Sequence, residues 1–275
     1  MNSASRKLQS VTTNTSSPGW LMAIGIGLIA VATTNHSLQA QAINVPNYSF
    51  ESQSGAGYPF GSNPSVDFWQ KIAEPASFAF VSGGFPWYAT AGVFVGTAPN
   101  SPNPYANLVG TQAGYILAFP QVTLFQDYNS SPGHDFNATY EVGKSYNLTI
   151  GIFGSSSLAP GSTLELSLYY RDNSDNKVTV GSTTVTYSLA AFPTNTPSLN
   201  LIDYTVNVPP VLAGDAWAGK NIGIQLESTI PLQLTSGRNW DIDNVRLTAV
   251  PEPTTITLLG LGLGGLLLAR SNRRA

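Results

Sequence analysis

The sequence predicts an all-β protein, a two-sheet antiparallel jelly-roll sandwich carried between two hydrophobic ends. Turn formers abound, with 26 glycines and 19 prolines in 275 residues, while charged residues make up only 10%. That is the composition of an exported β protein with many turns and few helices. Apolar residues alternate with polar or small ones over successive short segments of the second half. Such alternation leaves each sheet one wet and one dry face, so two sheets must pack face to face.

The strands read off in order. Tyr146, Leu148, Ile150 and Ile152 share one face of a first strand, and Leu164, Leu166, Leu168 and Tyr170 follow after the turn at Pro160-Gly161. Asp172 to Asn176 is a turn cluster, after which Val178 and Val180, then Val185, Tyr187 and Leu189, resume the period of two. Tyr204, Val206 and Val208 form another strand, and Ile222, Ile224 and Leu226 the next. Val245 and Leu247 close the domain, and their parity puts Asp243 on their face. Between Gly55 and Pro104 the alternation gives way to Gly, Pro and aromatic residues, which predicts rim loops.

Both ends predict export. Arg6 and Lys7 precede the apolar stretch Trp20 to Ala32, and Ala40-Gln41-Ala42 suits signal peptidase cleavage before Ile43, so residues 1–42 read as a signal peptide. At the other end stand Val250-Pro251-Glu252-Pro253, the apolar run Thr254 to Ala269, and a basic terminus with Arg270, Arg273 and Arg274. The prolines hold the triplet extended, and the apolar run predicts a short hydrophobic helix in the inner membrane, with the arginines on its cytoplasmic side. Residues 250–275 resemble the PEP-CTERM sorting signal of Gram-negative exported proteins. The resemblance implies an exosortase-type partner and an address at the cell surface or outside it, after transient anchoring.

The part between, residues 43–249, has room for one substantial core. From Ile43 to Pro253 the chain carries all 15 acidic residues but seven basic ones, a net charge of −8. Such a surface repels phosphate backbones, which excludes nucleic acid as a partner and favours a divalent cation. Cysteine is absent, so packing or a bound ion must supply the stability that disulfides would give. Catalytic constellations are scarce. His134 is the one histidine of the segment and reads as a solvated loop residue, and no phosphate loop or nucleophile elbow occurs. Asp67, Asp127, Asp203 and Asp215 carry no assigned role, and most of them read as surface or turn residues.

The opening Asn47-Tyr48-Ser49-Phe50-Glu51 and the closing Asp243-Asn244-Val245-Arg246-Leu247 resemble the first and last strands of carbohydrate-binding-module-like jelly rolls. Gly143 to Ile150 is similar to an inner strand of that group, which includes the calcium-dependent cyanobacterial cyclases. The resemblance implies a structural calcium held by Glu51 and Asp243, with Asp241 a weaker ligand. Calcium takes six to eight hard oxygens, so carboxylates from two strand ends suit it. The alternative is that Asp243 and Asn244 cap a turn.

Aromatic rings stack on the C–H faces of sugars, and Trp69, Trp87, Tyr88, Tyr105 and Tyr128 are the candidates for such a platform. The expectation is a non-catalytic module associated with glycan or exopolysaccharide. A calcium-dependent cyclase-type enzyme, with an acid such as Asp243 protonating a hydrophobic substrate in an aromatic pocket, is the alternative from a different class.

Overall fold

The computed structural model describes residues 39–52, 62–96, 105–129, 133–193, 199–235 and 237–252. The predicted signal peptide up to residue 38, the tail from Pro253 onward with Arg270, Arg273 and Arg274, and the predicted helix of residues 254–269 lie outside them. Among the described residues no helix is long and apolar enough to cross a membrane.

Two antiparallel sheets form the sandwich, as the alternation predicts. The strands are β1 Gln41–Ile43, β2 Ser62–Asn63, β3 Ala91–Val95, β4 Gln112–Leu117, β5 Thr123–Gln126, β6 Lys144–Gly154, β7 Thr163–Arg171, β8 Lys177–Thr186, β9 Ile202–Val208, β10 Gly223–Ser228 and β11 Asn239–Pro251. The larger sheet runs β2-β3-β4-β11-β6-β9, with β1 also on β11, and the smaller runs β5-β10-β7-β8. Trp240, Ile242, Leu148, Ile150 and Ile152 from the first meet Leu164, Leu166, Leu168, Ile224 and Leu226 from the second, all fully buried. Each such side chain contributes about 1.5–3 kcal/mol on leaving water, which is how a chain without disulfides holds its shape.

β11 is the spine. It pairs with β6 along its length, with β4 over Asn239–Ile242, and with β1 over Leu247–Ala249. One extra residue enters it between Asp243 and Arg246, where Asn244 takes a left-handed φ of 55°. A bulge of this kind inverts the parity of the residues beyond it. The sequence expectation that Asp243 shares the face of Val245 and Leu247 is therefore corrected. Ile242 stands opposite Ile152 and Leu247 opposite Leu148 on the core face, while Asp243 stands opposite Gly151 on the other. The segment from Tyr105 to Thr111 and the stretch around Leu201 lie over that outer face, tied by Asn107 to the backbone amide and carbonyl of Leu201.

The sandwich has two poles. β11 starts at Asn239 near Leu117 and Ser155, and ends at Pro251 beside Lys144. Its 13 residues separate the poles by about 40 Å. The short α1, Phe78–Val81, and the 3-10 turn Trp87–Thr90 gather against Phe119 at the first pole. The turns at 137–143, 209–222 and 171–177 gather at the second, where Gly143 bonds Val211 and Tyr140 bonds Gly219 and Lys220.

Candidate functional site

Buried acids stand on the outer face of each sheet, Asp241 and Asp243 on the larger and Asp127 on the smaller. On the larger sheet, Asp241 lies between Tyr115 of β4 and Phe153 of β6, with the Tyr105 ring edge-on to Phe153. The Tyr105 hydroxyl and the Asn239 amide both donate to the Asp241 carboxyl. Burial pushes that carboxyl up to about 7 despite those bonds. Two residues on, Asp243 is fully buried, and its Oδ2 accepts the Val109 amide at 2.7 Å. Its Oδ1 is buried without a partner. Desolvation, with Glu51's charge adding to it, pushes Asp243 up to about 7 as well. Glu51 is exposed, and its Oε1 accepts the amides of Thr111 at 2.8 Å and Gln112 at 2.6 Å.

The three acids of the sequence expectation thus divide. Glu51 and Asp243 are close enough to repel, and a buried orphaned oxygen beside a second carboxylate is a chemistry that suits a hard cation. Asp241 is taken up by Tyr105 and Asn239. Among the described residues, no group of three or more His, Cys, Asp or Glu side chains is gathered to hold a metal.

On the smaller sheet the hub is Asp127, buried where β5 ends. Its Oδ2 accepts the Tyr169 hydroxyl at 2.6 Å and both Nε and a terminal nitrogen of Arg171 at 2.8 Å, and its Oδ1 meets His134 Nδ1. Desolvation opposes ionisation, but the bonds from Tyr169, His134 and Arg171 outweigh it and hold the carboxyl below its usual range. Asp127 and His134 are not the surface acid and solvated loop histidine that the sequence suggests. Their seven-residue separation carries no periodic signal, because a loop closed by the Tyr128–Asp135 bridge brings them together. Nearby, the Lys177 ammonium sits 3.1 Å from the centre of the Phe125 ring and donates to Gln225, and burial lowers it to about 7.

Beside this hub opens a cavity of about 230 Å³, lined by Tyr128, Asn129, Tyr169, Arg171, Lys220 and Asn221, among others. Gly223 makes the close approach possible: a Cβ there would stand 2.3 Å from the Tyr169 ring. The cavity lies at the pole where β11 ends.

The five candidate platform aromatics do not form one surface. Trp69 is buried, stacked on Phe50 with its Nε1 donating to the Asn47 carbonyl. Tyr105 is buried over Asp241. Trp87 is half-buried, its Nε1 on the Ile72 carbonyl, next to the exposed Tyr88. These two stand at the first pole with exposed Phe80 and Phe85, within residues 75–126, which carry no charged side chain. Tyr128, 44% exposed, is the one that borders the cavity.

The end of β11 decides the first question of identity, because Ala249 to Glu252 open a stretch that matches a known signal. Residues 249–274 match the PEP-CTERM protein-sorting motif. The tail is a sorting signal. A PEP-CTERM tail implies export, membrane-associated sorting to the cell surface and processing by exosortase-type machinery. No curated protein sequence matches the chain. Among solved structures, a cyclase from Fischerella sp. TAU is 19% identical, with a TM-score of 0.54 over 78% of this chain and 100% of that one. A Stig cyclase from the same source, in complex with (3Z)-3-(1-methyl-2-pyrrolidinylidene)-3H-indole, is 21% identical, with a TM-score of 0.51 over the same shares. The CBM22-1 xylan-binding domain from Paenibacillus barcinonensis is 12% identical, with a TM-score of 0.35 over 67% of this chain and 87% of that one. At these identities the PEP-CTERM protein shares the jelly-roll fold with the two cyclases, and the fold alone.

Proposed function

We propose that this exported PEP-CTERM protein is a non-catalytic glycan-associated module that takes a sugar at the Asp127 pole. The observation that carries it is the cavity bordered by Tyr128. One exposed aromatic face stands beside amides, a tyrosine hydroxyl and charged groups held by a rigid hub, which is the mix that stacks on a pyranose and reads its hydroxyls. The aromatic loop at the other pole also has a cation beside its rings, Lys71, but that ammonium is engaged by the Trp87 and Tyr88 carbonyls at 2.6 and 2.9 Å. A glycan array probed with the exported protein tests the reading. Binding to at least one polysaccharide is expected, with the Tyr128→Ala variant about tenfold weaker, equivalent to 1.4 kcal/mol. An array that stays blank with folded protein would leave only a structural role.

Calcium belongs to this reading as a staple between the domain's opening segment and its last strand. Glu51 and Asp243 would hold it, and its charge would relieve their repulsion and partner the orphaned Asp243 oxygen. Added calcium should raise the thermal midpoint and a chelator should lower it, with the Asp243→Ala variant indifferent to both. Indistinguishable midpoints for the unmodified protein would remove the ion.

A second reading is favoured by one observation: Asp241, among Tyr105, Tyr115 and Phe153, is a carboxyl poised to hold a proton near neutrality. In an enzyme of the cyclase type that acid would protonate a hydrophobic substrate, while Asp243 kept the separate task of calcium ligand. Asp241 is covered by Tyr105, so this role needs the Tyr105–Thr111 segment to lift.

A further inference from the structure

The final strand runs on into the sorting motif. Ala249, Val250 and Pro251 lie opposite Tyr146, Ser145 and Lys144 of β6. Beyond them, the Glu252 amide donates to the Gly143 carbonyl at 2.9 Å. Gly143 holds a left-handed φ of 82°, with open space where a Cβ would be, so the turn needs glycine for its backbone and not for room. The turn is pinned from behind, since the Gly143 amide donates to Val211 and the Val211 amide to Lys144. On its other side β11 pairs at Leu247 with Ile43, while Gln41 and Ala42, opposite Ala249 and Thr248, belong to the predicted signal peptide and leave with it. The first four residues of the motif are therefore also the last described residues of the folded domain.

We propose that folding shields the start of the sorting motif, so that the sorting protease cuts beyond Glu252, and does so at a rate limited by fraying of the end of β11. A protease that binds an extended strand needs main-chain groups free to pair with its own. Along Val250 and Pro251 one side is already spent on β6, and the Glu252 amide on Gly143. In the cut itself one peptide C–N bond breaks, water gives its hydroxyl to the acyl carbon, and the proton goes to the departing nitrogen. The bonds on either side of Pro251 are the ones the sheet withholds. Cleavage at or beyond the Glu252–Pro253 bond leaves the mature domain with β11 whole.

The test uses the full chain in the cell that makes it. A Gly-Ser-Gly-Ser spacer inserted between Val250 and Pro251 lifts the motif off the sheet while leaving every apolar pair of β11 in place. Pulse-chase should show its tail removed several-fold faster than that of the unmodified protein. A rate that is unchanged or slower, or a tail retained by both proteins, would overturn the proposal. Mass spectrometry of the unmodified mature protein gives an independent reading that does not depend on the variant's folding. A C-terminus at Glu252 or later is expected, and one at or before Pro251 would overturn the proposal equally.

Discussion

Replacing Asp127 by alanine should cost about 3–5 kcal/mol of stability, read as a lower urea midpoint with an unchanged slope. The carboxylate is buried and receives four donors, from Tyr169, His134 and two nitrogens of Arg171. Removing it leaves the half-buried Arg171 guanidinium with Asp175 alone and strands the buried Tyr169 hydroxyl, and under-partnering such groups costs more than the missing bonds were worth. Asn at the same position keeps the shape and accepts fewer bonds, so the loss should be smaller but of the same sign. The linkage sign agrees. Asp127's folded pKa is depressed, so its contribution is present above the unfolded value of 3.8 and is lost as pH falls below it. The same substitution should loosen Tyr169 and Arg171, which line the cavity, and weaken glycan binding along with the fold.

The opposite pH dependence should come from the larger sheet. Asp241 is held protonated by burial, its pKa moved from 3.8 to about 7. The folded state then binds more protons than the unfolded chain between those values, so stability falls as pH rises through that window and levels off above it. At about 1.4 kcal/mol per pKa unit the loss approaches about 4 kcal/mol. The Asp241→Asn variant keeps a neutral amide in the same place, and its stability curve between pH 4 and 8 should be flatter by about that amount. Asp243 contributes with the same sign, since its pKa is also raised to about 7. Calcium at Glu51 and Asp243 would favour the charged form there and cancel Asp243's share, leaving the Asp241 component. Urea unfolding at several pH values, with and without calcium, separates the two. A curve for Asp241→Asn parallel to that of the unmodified protein would mean that Asp241 is ionised in the fold.

How much of the fold was legible depended on whether a strand has a wet face. β6, β7, β9 and β10 alternate and were readable to within a residue or two. β3, β4 and β5 were not. Val93 and Phe94 of β3 fell inside the stretch read as rim loops, and β5 is buried at every position from Thr123 to Gln126. A strand covered on both faces loses its alternation and leaves a short apolar run that periodicity cannot classify. Leu189 continued the alternation of β8 in sequence but lies past its end and is exposed. The bulge at Asn244 hid the side on which Asp243 lies, because one inserted residue is invisible to parity. The site was partly legible for a related reason. Tryptophan and tyrosine serve cores and platforms alike, so Trp69 and Tyr105, which are buried, could not be told from Tyr128, which is not. Asp127 and His134 carry no signal of their pairing, since nothing in sequence says that Tyr169 and Arg171, two positions apart on the outer face of β7, reach across to them.

The glycan reading makes a statement about place as well as affinity, and place is the more searching test. Nuclear magnetic resonance chemical-shift mapping of the exported protein, titrated with oligosaccharides from its own cell-surface polysaccharide, reports that place directly. Shifts concentrated at Tyr128, Asn129, Lys220 and Asn221 are predicted, and should fade in the Tyr128→Ala variant. Shifts confined to Phe80, Phe85 and Tyr88 at the other pole, or none at saturating sugar, would contradict the account.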